Sequence, residues 1–138
     1  MPAPLYVHLP NGSPVPRLGP EPFIVLLIAE SIALDDWRAQ VCGDLARSGC
    51  HSFIAWGQDC VQWCVEMQKT TASSGARIMI AAHEDEPLAE AMWASVHGAD
   101  HPEVTLQALV IVHVTPRERR EEILFQFHSA AMREKPGI

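Results

Sequence analysis

Phe23-Ile24-Val25-Leu26-Leu27-Ile28-Ala29-Glu30 is the stretch on which the fold turns. Seven apolar residues, most of them branched, run without interruption and stop at a carboxylate. An amphipathic helix would interrupt such a run with polar residues every third or fourth position, and a half-exposed strand would alternate. A continuous run of this length reads as a strand buried on both faces, the signature of a parallel sheet covered by helices on each side.

Working outward, the same unit recurs. After Glu30, Asp35 or Asp36 can cap a helix that carries Trp37, Val41, Cys42 and Leu45 at helical spacing, with Gly49 at its end. His51–Trp56 reads as a second strand closed by Gly57, and Gln58–Thr71 as a second helix with Cys60, Cys64 and Met67 on one side. Arg77–Ala82 reads as a third strand. Pro87 suits the first turn of a third helix through Met92, Trp93 and Val96, ended by Gly98. Val104–Val114 holds a fourth strand. Thr115-Pro116-Arg117-Glu118 has the form of a capping box for a last helix reaching about Arg133, with Ile123, Leu124, Phe127 and Ala131 as its stripe. Four strands alternating with four helices predict an α/β three-layer sandwich: a four-stranded, mainly parallel sheet with helices on both faces, Rossmann- or flavodoxin-like. Strand order is not readable from one sequence.

Upstream the character changes. Seven of the eleven prolines (2, 4, 10, 14, 16, 20 and 22) fall in residues 1–22, where they fix φ and remove backbone donors. Leu5–Leu9 leaves room for one short extended segment. Residues 1–22 therefore read as an N-terminal arm lying across the domain or touching a partner, and residues 23–138 as a single α/β domain.

Composition excludes several function classes. The 138 residues are 48% hydrophobic and 20% charged, the profile of a globular chain. Seventeen acids against ten Lys and Arg give a net charge of −7, which argues against nucleic acid and anionic membrane as partners. The N-terminus lacks the features of a signal peptide and no run is long enough to span a bilayer, so the expected location is cytoplasmic. Cys42, Cys50, Cys60 and Cys64 then read as reduced thiols packed in the core.

In parallel α/β sheets ligands bind beyond the carboxyl ends of the strands. Those ends are Glu30-Ser31, Gly57-Gln58-Asp59, His83-Glu84-Asp85-Glu86 and Thr115-Pro116. No glycine-rich phosphate loop is present, and no Lys or Arg occurs between Arg77 and Arg117. A nucleotide phosphate would meet carboxylates there, so NAD, FAD and P-loop ATP are excluded. Such an edge suits a basic partner protein, through Trp56, Asp59, Glu84, Asp85 and Glu86, or a hard divalent cation, through Glu30, Glu84 and Glu86. The second layout resembles Toprim domains, which hold magnesium for phosphoryl transfer. It departs from them at Ser31, where they have glycine, and at Glu84-Asp85-Glu86, where they have Asp-x-Asp. Zinc on Cys60 and Cys64, four apart on a helix, with Cys50 and His51 lacks the tight paired knuckles of structural sites. Neither His97 with His101 nor any serine completes a recognisable catalytic set, and Asp59 opposes ionisation of Cys60 at its helix start.

Tyr6-Val7-His8-Leu9-Pro10, Ser48-Gly49-Cys50, Ala55-Trp56-Gly57-Gln58-Asp59-Cys60 with Trp63, and His101-Pro102-Glu103-Val104 together resemble a family of small bacterial proteins classed as a domain of unknown function. The resemblance spans nearly the whole chain, arm included. It implies an intracellular bacterial protein and supplies no catalytic residues. The reading that follows is a non-enzymatic interaction module without cofactor, binding a basic protein as immunity or antitoxin proteins do. The alternative is a phosphoryl-transfer or hydrolytic enzyme dependent on Mg²⁺ or Zn²⁺. An exposed sheet edge or the arm can also support a homodimer.

Overall fold

The computed structural model describes residues 4–18, 21–97 and 108–132. Nine elements follow in order: β1 (Leu5–His8), β2 (Phe23–Ala29), α1 (Asp35–Arg47), β3 (Cys50–Gly57), α2 (Cys60–Ser74), β4 (Met79–His83), α3 (Leu88–His97), β5 (Ala108–Val114) and α4 (Arg120–Met132). All strand pairs are parallel, in the order β1-β5-β2-β3-β4. The α/β sandwich is as expected, but the sheet has five strands rather than four. The additional one is the short segment of the proline-rich arm. Pro4 and Pro10 bracket Leu5–His8 without entering it, so its donors stay free to pair with β5, from Leu5 opposite Val110 to His8 opposite His113.

The apolar run Phe23–Ala29 is buried at every position because β2 lies in the middle of the sheet, flanked by β5 and β3. Its side chains alternate between two cores. Phe23, Val25, Leu27 and Ala29 join Trp37, Val41, Leu45, Trp63 and Met67 under α1 and α2. Ile24, Leu26 and Ile28 join Met92, Ile123 and Phe127 under α3 and α4. Trp37 and Trp63 meet edge to face, with ring centres 5.8 Å apart, and tie α1 to α2. Further arm residues are held down as well: Trp37 Nε1 donates to the Ser13 carbonyl at 2.8 Å and Leu18 is buried.

Helix starts depart from the capping expectations. Leu34, not an aspartate, occupies the position before α1, and Asp35 and Asp36 fall in its first turn, where they still complement the dipole. Helix α4 begins at Arg120, so Thr115–Glu118 forms the connection and not a capping box. There Thr115 is buried and its carbonyl accepts from His8 Nε2 at 2.8 Å, which commits the residue to anchoring the arm. His101 and the expected stop at Gly98 lie outside the described residues.

Candidate functional site

Strand order determines which crevices exist. From β2 the chain steps outward to β3 and β4, then returns across the sheet to place β5 on the other side of β2. The order therefore reverses between β2 and β5, where doubly wound sheets usually admit ligands.

That point is occupied by a hydrogen-bonded set of side chains. His113, fully buried near the end of β5, lies between Tyr6 of β1 and Glu30 after β2. Its Nε2 is 2.7 Å from Glu30 Oε1 and its Nδ1 is 2.6 Å from the Tyr6 hydroxyl. Burial pushes the His113 pKa below its ordinary value, against the opposing pull of Glu30. A carboxylate can only accept, so the neutral ring carries its proton on Nε2 and accepts the Tyr6 hydroxyl proton at Nδ1. The Tyr6 oxygen in turn accepts the Arg119 backbone N–H at 3.3 Å. The Arg119 guanidinium closes the loop on Glu30 Oε1 and also donates to Glu122 Oε1 at 3.1 Å. Burial raises the Tyr6 pKa, so the phenol stays protonated. One connected set thus joins β1, β5, β2 and the start of α4. His113 belongs to the apolar run of β5 and is buried with it. Its pairing with Tyr6, and the return of Arg119 to Glu30 across 89 residues, carried no local signal.

One strand along, the edge is open. Ala29, Glu30, Trp56, Gly57, Gln58, Asp59, Glu84 and Asp85 line a shallow cleft of about 690 Å³. Its base is made by close approach of two strand ends: Gln58 N–H donates to the Ala29 carbonyl at 2.7 Å, and Gly57 takes φ +103° to allow it. Asp59 follows in the left-handed region at φ 56°, immediately before α2, and makes no side-chain cap bond, which leaves its carboxylate exposed at the rim. Asp85 also has positive φ, 60°, in the β4–α3 turn. Across that turn His83 Nδ1 donates to Glu86 Oε2 at 2.5 Å, and Trp56 Nε1 donates to the Glu86 carbonyl at 2.6 Å, which fixes the indole against the acidic turn.

Of the residues expected at a partner site, Trp56, Asp59, Glu84 and Asp85 therefore share one cleft, while Glu86 stands behind it, paired with His83. Of the residues named for a cation, Glu30 and Glu84 both line this cleft and Glu86 does not. Glu30 holds Arg119 and His113, Glu86 holds His83, and no group of three or more His, Cys, Asp or Glu among the described residues is arranged to hold a metal ion. The four cysteines are buried and free. Burial pushes the Cys50 and Cys64 thiols up to about 12, and burial reinforced by Glu84 raises Cys60. Desolvation, with Glu84 and not Asp59 as the opposing charge, keeps Cys60 protonated despite its place at a helix start.

Among the described residues no helix is long and apolar enough to cross a membrane. No curated protein and no solved structure matches the chain. A family model described as a domain of unknown function, DUF7684, matches residues 4–130, and the chain belongs to that family.

Proposed function

We propose that the chain is an interaction module whose cleft at Trp56 receives a basic, amphipathic segment of a partner protein. The observation that carries this reading is the state of the carboxylates. Asp59, Glu84 and Asp85 surround a held indole, and none has an ion-pair partner among the described residues. Unpaired carboxylates around one cleft attract an incoming Lys or Arg. The indole face adds a cation–π contact for the same group. Apolar contact is offered on the same edge of the sheet: Ile32 and Leu34, in the β2–α1 connection, are 68% and 78% exposed, and Val61 in the first turn of α2 is exposed too. A metal reading draws no comparable support, because Glu30, which it requires, is already taken by Arg119.

Calorimetric titration tests the reading with a peptide alternating Arg and Leu, and with its Glu/Leu counterpart. Binding of the basic peptide alone is expected, weakening as salt is raised. The triple variant Asp59→Asn, Glu84→Gln, Asp85→Asn should lose affinity roughly tenfold or more, since each exposed charge contributes on the order of 0.5 kcal/mol. Absence of binding at low ionic strength, or binding indifferent to these substitutions, refutes the proposal.

A further inference from the structure

We propose that β4 is a self-docking edge: a second copy of this chain pairs with it antiparallel, about a two-fold axis beside Ala81. β4 is the terminal strand of the sheet and pairs only with β3. An edge strand turns a row of backbone N–H and C=O groups outward, a template for another strand, and proteins usually blunt such edges with charge, proline or a bulge. The other edge strand, β1, has Pro4 and Pro10 at its ends. β4 has little of this: Met79-Ile80-Ala81-Ala82 contains no charge, proline or glycine, and its last residue, His83, is turned to Glu86.

One face of β4 is also bare. Ile78 and Ile80 pack on the core shared with α2, whereas α3 crosses over β2 and β3 and leaves Met79 55% exposed and Ala81 exposed. An apolar, uncharged strand left in this state is an aggregation hazard unless something specific covers it.

The charges flanking the strand select the occupant. Arg77 lies before β4, exposed and without an ion-pair partner among the described residues, and Glu84 and Asp85 lie after it. In an antiparallel pair centred on Ala81, Met79 meets the partner copy's His83, and Arg77 comes to the partner copy's Asp85. Two-fold symmetry makes each contact twice. A parallel pair would set like charges together at both ends. The strand is therefore complementary to itself in one direction only. The result is a continuous ten-stranded sheet. The contact takes up Asp85 at the rim of the cleft and leaves Asp59 and Glu84 to it, so the dimer is expected whether or not the cleft receives a partner.

Sedimentation velocity on the full chain across a wide concentration range is the test, with far-UV circular dichroism to verify folding. A dimer is expected. Met79→Lys and Arg77→Glu, both at exposed positions, should convert it to a monomer with an unchanged spectrum. Because the native cysteines are all buried, an added surface thiol reports its own neighbours. Ala81→Cys should give a disulfide-linked dimer under mild oxidation, and Phe125→Cys, 73% exposed on α4 in the wild type, should not. A chain that stays monomeric throughout overturns the proposal, as does a dimer that survives Met79→Lys or one that crosslinks through position 125 instead of 81.

Discussion

Replacing Gly57 with alanine tests whether the base of the cleft is built as described. Gly57 has φ +103°, where an L side chain is strained, and a Cβ there would fall inside contact distance of the Ala29 carbonyl oxygen and 3.0 Å from its carbon. The obstacle is backbone in the central strand, which cannot swing away as a side chain can. Two terms follow. The φ penalty for a non-glycine residue is about 1–2 kcal/mol. Relieving the clash means parting the ends of β2 and β3, which forfeits the hydrogen bond from Gln58 N–H to Ala29 and leaves two polar groups poorly satisfied, for about 1–3 kcal/mol more. Gly75 is the matched control: it ends α2 at φ +76°, with nothing within 4 Å of the added Cβ. Gly75→Ala should therefore lose the φ term alone. In urea unfolding followed by tryptophan fluorescence, Gly57→Ala should be less stable than Gly75→Ala by about 1–3 kcal/mol. Equal losses would mean that the strand ends do not approach, and the cleft would lose its base.

Tyr6→Phe removes the hydroxyl that links Arg119 N–H to His113 Nδ1 and leaves the ring nitrogen buried without a donor. A loss of about 1–3 kcal/mol is expected by the same denaturation assay, and a neutral result would refute the tautomer assigned to His113. The folded state holds the His113 pKa below the unfolded value of 6.5, so the unfolded chain binds the extra proton more readily as pH falls. Stability is fully present above pH 6.5 and declines below it, by at most about 1.4 kcal/mol per pH unit for one proton; His113→Gln should flatten that decline. A thiol reagent such as Ellman's should leave all four cysteines unmodified in the native protein and titrate all four in urea, because burial both hides the thiols and keeps Cys50 and Cys64 protonated near pH 8.

The parts legible in the sequence are those set by local periodicity. Phe23–Ala29 could only be a central strand, because nothing else buries seven consecutive apolar side chains, and β3, β5 and the four helices followed from similar local rules. The parts that were not legible depend on pairing at a distance. Leu5–His8 looked like a fragment of an arm because four residues between prolines carry too little apolar surface to declare a strand; β5 supplies the partner. The capping box at Thr115–Glu118 failed because His8 takes the Thr115 carbonyl and ties that segment to the arm. The acidic edge was legible as composition, and Trp56, Asp59, Glu84 and Asp85 do share a cleft. That Glu30 would be claimed by Arg119 was not, since the chain between them gives no sign of which side of β2 receives β5.

That placement of β5 decides what stands at the sheet's usual ligand crevice. In a doubly wound sheet the reversal point between the first and last strands of the half is where a phosphate normally meets a helix N-terminus. Here β5 supplies His113 and the residue before α4 supplies Arg119, both bonded to Glu30 at that point, and the arm supplies Tyr6, which bonds His113 from the other side. Arg119, the cation in that set, is held by two carboxylates, Glu30 and Glu122. The open cleft is displaced by one strand, toward β3 and β4, and there Asp59, Glu84 and Asp85 have no ion-pair partner among the described residues. The fold thus spends its usual ligand crevice on fastening the N-terminal strand and presents a negatively charged one beside it. On the proposed reading, a ligand for that surface brings positive charge with it, as a basic segment of a protein does and a nucleotide does not.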